Sequence, residues 1–277
     1  MKTATLPNGI CVPALGQGTW GMGEGRQSAG EEADALRHGI QRGLTLIDTA
    51  EMYGDGGAER VVGEAMQGFR DDIFLVDKVL PSNGCRQRMQ QACERSLRNL
   101  DTDYIDLYLL HWRGAFTLEE VVETFEDLKS QGKIKHWGVS NFDIADMEEL
   151  QKIAPSNSII TDQVLYNLLR RGIEYDLMPW CESNAIPIMA YSPIEQARIL
   201  KYPQLQQLAK IYRATPAAIA LAFVLRKQNI IAIPKASDPI HIDENLEALS
   251  IQLTEDDLAL LDRVFSAPTS KTRLEML

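Results

Sequence analysis

Residues 16–26 read Gly16-Gln17-Gly18-Thr19-Trp20-Gly21-Met22-Gly23-Glu24-Gly25-Arg26, and two folds lay claim to them. The first six match GxGxxG, they continue a strand-like run from Ala14 to Gly18, and Asp48 closes the next such run. That is the outline of a dinucleotide fingerprint, whose third glycine must open a helix so that the helix N-terminus meets a pyrophosphate. Here glycines continue through Gly23 and Gly25, a loop composition, and helical patterning begins only around Ser28. The stretch reads as a strand and a loop, so the fold is decided by what repeats after it.

What repeats is a strand followed by a helix. Beyond a small hairpin turning at Pro7-Asn8-Gly9, strand-like runs cover Ala14 to Gly18, Leu44 to Asp48, Ile73 to Lys78 and Tyr104 to His111. Ile134 to Ser140, Ile159 to Gln163, Ile186 to Tyr191 and Ile230 to Pro234 complete the set. Several are almost continuously apolar, as parallel strands covered on both faces must be. Between them lie amphipathic helices. Leu118, Val121, Val122, Phe125 and Leu128 form one buried stripe, and a closing helix from Thr254 to Phe265 puts Leu258, Leu261 and Phe265 on one face. Ser28 with Glu31 and Thr117 with Glu120 read as capping boxes, and Thr215-Pro216 as a cap before an N1 proline. Eight such units without a linker predict an α/β fold, one (β/α)8 TIM barrel over residues 1–277 with a short N-terminal β-hairpin.

Composition narrows the function. The chain is 45% hydrophobic and 24% charged with a net charge of −11, which argues against a nucleic-acid-binding protein but not against one phosphate-bearing cofactor. Cys11, Cys85, Cys93 and Cys181 show no zinc spacing and read as reduced, mostly buried thiols. The start, MKTATLPNGI, has no apolar signal core, and no apolar run is long enough to span a bilayer. The expectation is a cytoplasmic protein with no membrane or nucleic-acid partner and no metal, monomeric by default.

In a barrel, chemistry collects at the C-terminal strand ends. Those ends carry Asp48, Lys78, His111, Ser140, Asn141, Gln163, Tyr191 and Lys235, with Tyr53 just beyond Asp48. Singly, each has an ordinary explanation as a loop brace, a half-buried ring, a solvated charge or a core histidine. Together, Asp48, Tyr53, Lys78 and His111 make a coherent set. A tyrosine, with pKa near ~10, is a poor acid at neutral pH. A lysine beside it lowers that value, an aspartate holds the lysine, and a neutral histidine orients a carbonyl oxygen. The set suits protonation of an alkoxide formed when hydride reaches a carbonyl carbon.

Taken in order, these segments resemble the aldo-keto reductase superfamily over essentially the whole chain. GQGTW (16–20), LTLIDTAEMYGDGGAE (44–59), DKV (77–79), DYIDLYLLHW (103–112), GVSNF (138–142), DQVLYN (162–167), AYSPI (190–194) and IPKAS (233–237) carry the likeness. The resemblance implies an NADP(H)-dependent reductase of aldehydes, dicarbonyls or ketones, with Asp48, Tyr53, Lys78 and His111 catalytic, and methylglyoxal as a substrate typical of bacterial members. It also implies that Ser140, Asn141 and Gln163 hold the nicotinamide carboxamide and that Tyr191 stacks on the ring. Gly18, Thr19, Ser192 and Pro193 would line the cofactor's path, Ser192 meeting the pyrophosphate. Lys235, with Ser237, would meet the 2′-phosphate, and Glu244 and Asn245 the adenine. Trp20 and Trp112, with Tyr53 and His111, would wall the substrate pocket.

Three features depart from the family pattern. His241 stands where many NADPH-preferring members have an arginine, and a histidine cannot replace a bidentate guanidinium, so NAD(H) stays open beside NADP(H). Glu195 falls close to the pyrophosphate path, where a carboxylate is unhelpful unless it turns away or pairs with Arg198. The segments after His111 and Tyr191 are short, which predicts an open site and fast cofactor exchange. Two alternatives stand beside the reductase: a cofactor-binding redox-sensing subunit, and an unrelated barrel enzyme such as a metal-dependent hydrolase or an aldolase. The latter lacks ligands, because His38, His111, His136 and His241 share no metal spacing, although Lys78 alone has the chemistry for a Schiff base.

Overall fold

The computed structural model describes residues 2–277, and ten strands form within them. β1 (Thr3–Thr5) and β2 (Cys11–Pro13) make an antiparallel hairpin, its turn closed by the Leu6 N–H on Ile10 O and the Gly9 N–H on Leu6 O. The other eight are β3 (Gln17–Gly18), β4 (Leu46–Asp48), β5 (Phe74–Val79), β6 (Ile105–Leu110), β7 (Ile134–Ser140), β8 (Ile159–Leu165), β9 (Ile188–Tyr191) and β10 (Ile230–Ala232). They lie parallel and in chain order. The sheet closes on itself through the Ala232 N–H on Ala14 O at 2.8 Å, the Gly16 N–H on Ala232 O at 2.9 Å and the Gly18 N–H on Pro234 O at 3.0 Å.

This seam explains the glycines that imitate a dinucleotide fingerprint. A Cβ on Gly16 would sit 2.6 Å from the Leu46 side chain, and one on Gly18 would sit 2.7 Å from the Ile233 carbonyl oxygen. Glycine is there because two strands approach closely, not because a helix must begin. The first helix, Ala29–Gln41, starts eight residues after Gly21, capped by Ser28 with a complete capping box to Glu31.

Apolar side chains divide into two cores. One lies between sheet and helices; the other fills the barrel with Leu46, Val76, Leu107, Leu109, Ile160, Met189, Ile231 and Ile233, and Ala4, Leu6 and Val12 of the hairpin plug its lower end. Because strand side chains alternate, a residue two positions beyond an inner one points inward a layer higher. Leu46, Val76, Leu109, Met189 and Ile233 are followed at that spacing by Asp48, Lys78, His111, Tyr191 and Lys235. The inner surface therefore turns from apolar to ionisable at one level, the C-terminal rim.

Four local expectations are corrected. β3 is two residues, because Ala14 and Gly16 serve the closing seam. Thr117 caps its helix by accepting from the Glu120 N–H, but Glu120 Oε1 accepts from the Arg86 N–H instead, so that box is not reciprocal. The closing helix is Glu255–Asp262. Of the four free cysteines only Cys93 and Cys181 are buried; Cys11 is exposed on the hairpin and Cys85 half-buried before a helix. No single helix among the described residues is long and apolar enough to cross a membrane.

Candidate active site

A cavity of about 460 Å³ opens at the C-terminal rim, within the range typical of small-molecule sites. Asp48, Tyr53 and His111 line it, and Lys78 lies directly beneath, fully buried. The Lys78 ammonium donates to Asp48 Oδ2 at 2.8 Å, to the Thr49 carbonyl at 2.8 Å and to the Tyr53 hydroxyl at 3.3 Å. Asp48 Oδ1 accepts from the Gln163 amide at 2.7 Å, and the Thr19 hydroxyl donates to the Asp48 carbonyl at 2.9 Å. Asp48 is thus held on both carboxylate oxygens, by the next strand and by one across the barrel.

Electrostatics here are a contest between burial and charge. Burial alone would pull Lys78 down, but the Asp48 charge and the bonds to Asp48 and Tyr53 outweigh it, so the amine stays protonated. Burial pushes the Asp48 carboxyl above its ordinary range, with Lys78 and Gln163 drawing it back. For Tyr53 the sequence-based expectation of a lowered pKa is overturned. Its enclosure pushes the phenol up more than Lys78 pulls it down, and the charges of Asp48 and Asp77 add to the rise. His111 is neutral, lowered to about 3 by burial and by the Lys78 charge. Its Nδ1 is buried without a partner, so Nε2 is the ring's hydrogen-bonding outlet. The ring meets Tyr53 edge-on at 5.9 Å between centroids and Trp112 at 5.0 Å.

One side of the cavity carries Gly18, Thr19, Ser140, Asn141, Gln163, Tyr191, Ser192 and Pro193 and runs out to Lys235. Asn141, at φ 58, donates to the His111 carbonyl and to Ser140 Oγ, each at 3.1 Å, and accepts from the Tyr191 hydroxyl at 3.0 Å. Ser140 Oγ donates to the Gln163 carbonyl at 2.7 Å. These residues tie four strand ends together, with the second lone pairs of Asn141 Oδ1 and Ser140 Oγ still open to a donor. Trp20, half exposed, and Trp112 stand at the rim. Ser237 lies 3.0 Å from the Lys235 ammonium, outside the cavity. His241 is exposed, Glu244 half-buried and Asn245 buried on the helix Pro239–Glu247, and none of the three lines the cavity.

Several lining residues carried no signal in the sequence. Met52, Gln196 and Ala197 border the cavity, and so do Met276 and Leu277, which lie far from the strand ends in the chain. These last two give the mouth a cover that short loops alone did not predict. Arg26, paired with Glu24 at 3.3 Å, is close enough to Lys235 for its charge to reinforce the lowering that burial imposes on that amine. Glu195 turns away from the cavity, is buried, and pairs with both Arg198 and Arg170. Its partner Arg170 is 25 residues distant, beyond any local pattern.

Residues 14–265 match the aldo/keto reductase family. The chain is 50% identical to the methylglyoxal reductase YeaE of Escherichia coli over 280 aligned residues, covering 99% of each, and 30% identical to a glyoxal reductase of Bacillus subtilis, covering 94% of this chain and 91% of that one. It superposes on an aldo-keto reductase from Klebsiella pneumoniae, crystallised with NADPH, at a TM-score of 0.96 with 47% identity and all of both chains covered. An eight-stranded barrel closed at a glycine seam, an ionisable rim above an apolar interior, and relatives that match it end to end place this chain in the aldo/keto reductase family.

Proposed function

We propose that residues 1–277 act as one barrel unit that reduces small aldehydes and dicarbonyls, methylglyoxal among them, with NADPH as the reductant and Tyr53 as the proton donor. The observation that carries the proposal is Lys78 bonded at once to Asp48 and to Tyr53 beneath the cavity. Its relatives' activities and the NADPH bound by the Klebsiella protein support the substrate class and the cofactor.

The donor set fits that cofactor: a hydroxyl and two amides at Ser140, Asn141 and Gln163 for a carboxamide, the Tyr191 ring for a flat heterocycle, and Lys235 for a phosphate. When bound, NADPH supplies hydride to the carbonyl carbon. His111, neutral, donates from Nε2 to the carbonyl oxygen and aims it at Tyr53. The alkoxide that develops is a base comparable to hydroxide, whose conjugate acid has pKa ~15.7, so even a phenol raised above ~10 delivers its proton downhill. Lys78 then stabilises the phenolate, and Asp48 keeps Lys78 charged. The raised phenol is therefore an asset: Tyr53 holds its proton at neutral pH until an alkoxide asks for it.

The test is NADPH oxidation at 340 nm with methylglyoxal and a panel of aldehydes, in the parent chain and in Tyr53→Phe. The variant is expected to lose about 10²–10⁴ of kcat while binding NADPH as before. No turnover by the parent chain, or equal turnover after the substitution, overturns the proposal.

A further inference from the structure

We propose that Glu195 is a positioning residue that fastens the loop after β9 to segment 266–277 through Arg170, so that the grip on the cofactor and the wall of the substrate pocket are set together. The inference rests on the cofactor reading above for its consequence, but not for its geometry. Glu195 lies at φ 49, and Ser192, Gln196 and Ala197 are also left-handed at φ 47, 52 and 66. Four such non-glycine residues within six positions persist only where their surroundings over-determine them.

The surroundings are a single charge hub. Glu195 Oε1 accepts from Arg170 Nε at 3.2 Å and Nη2 at 3.1 Å, and from Arg198 Nη2 at 3.0 Å. Its Oε2 accepts at 2.8 Å from the Asn167 amide, which also donates to the Ser192 carbonyl at 2.9 Å. With its remaining edge Arg170 donates through Nη1 to Glu275 at 2.5 Å. Only a guanidinium fork can hold two carboxylates in one plane this way. Ser192, Gln196 and Ala197 of the loop border the cavity, and so do Met276 and Leu277, next to Glu275. The Leu277 backbone reaches the Tyr191 hydroxyl. The segment carries no helix or strand, and its other polar tie is Lys271, 3.2 Å from Asp143 and 3.1 Å from Asp176.

Glu275→Gln tests the coupling, because that side chain is 42% exposed, lines no part of the cavity and can be changed without disturbing the core. Hydrogen exchange without cofactor is expected to quicken in residues 192–201 of the variant, although the hydrogen bond of Glu275 is to Arg170 and not to that loop. Stopped-flow displacement is expected to show NADPH leaving about threefold faster, the size expected from loss of an exposed ion pair. Arg170→Lys, which keeps the charge but loses the fork, should do the same, and adding Glu275→Gln to it should add nothing. Unchanged exchange at 192–201 in Glu275→Gln overturns the coupling. Quickened exchange in a protein that binds no NADPH would leave the coupling standing and bring down the cofactor reading instead.

Discussion

Replacing Lys78 by methionine removes one ammonium and keeps most of the side-chain volume. In the native fold that ammonium makes three bonds, to Asp48, to the Thr49 carbonyl and to Tyr53. Without it Asp48, 2% exposed, keeps a carboxylate in the interior with Gln163 as its one remaining side-chain partner. Breaking a buried pair from one side costs about 3–5 kcal/mol, whereas removing both charges costs far less. The loss should depend on pH. Burial already raises the Asp48 carboxyl, and losing the Lys78 charge raises it further. A carboxyl with a raised folded pKa contributes stability that is fully present below its unfolded value, ~3.9, and is lost as pH rises through the folded value, by up to about 1.4 kcal/mol per pH unit. Urea unfolding of Lys78→Met should therefore show its largest deficit at pH 8 and a smaller one at pH 5. Adding Asp48→Asn should restore stability at pH 8 to within about 1–2 kcal/mol of the parent chain, while turnover stays lost by roughly 10² or more. An equal deficit at pH 5 and pH 8, unrelieved by Asp48→Asn, would refute the reasoning, because Lys78 would then not be the countercharge that keeps Asp48 in the barrel.

Asp77 points to the opposite side of β5 from Lys78 and is fully buried; burial and the nearby Glu59 charge push its carboxyl well up. By the same sign, its cost is greatest at high pH, so Asp77→Asn should raise Tm by roughly 3–6 °C at pH 8 and by less at pH 5 in thermal melts. His111 at about 3 is neutral across the working range, so kcat/KM between pH 5 and pH 8 should show no limb that His111→Gln removes, a point that a pH profile of both chains decides. His241→Arg should tighten NADPH about tenfold relative to NADH by adding a charge-assisted bond to the 2′-phosphate. Parallel fluorescence titrations with the two cofactors measure it, and NADH binding the parent chain as tightly as NADPH would overturn the cofactor preference.

How much of this was written locally can be judged residue by residue. Strand period carried Asp48, Lys78, His111, Tyr191 and Lys235 to one rim, because alternation is a property of the backbone and needs no knowledge of neighbours. The hairpin turn at Pro7-Asn8-Gly9 and the Ser28–Glu31 cap are likewise contacts between residues a few positions apart. Cys11 is exposed and Cys85 half-buried because burial depends on what packs above a residue, not on its type.

Local patterning along the chain sets the barrel, the level at which its interior turns polar, and the strand-end side chains Asp48, Lys78 and His111 that reach that level. Each of these follows from periodicity and strand order, which act through bonds and nearest turns. The balance of forces on these side chains, and on Tyr53 in the loop beyond Asp48, is set by packing between distant segments. The phenol of Tyr53 is raised rather than lowered, because enclosure by distant segments outweighs the lysine beside it. Glu195 serves the fold rather than obstructing the cofactor, because Arg170 and Arg198 reach it. Met276 and Leu277 reach the mouth beside Glu275, which pairs with Arg170 more than a hundred residues earlier. Desolvation and long-range ion pairing are sums over everything within a few ångströms, and no window along the chain contains that sum.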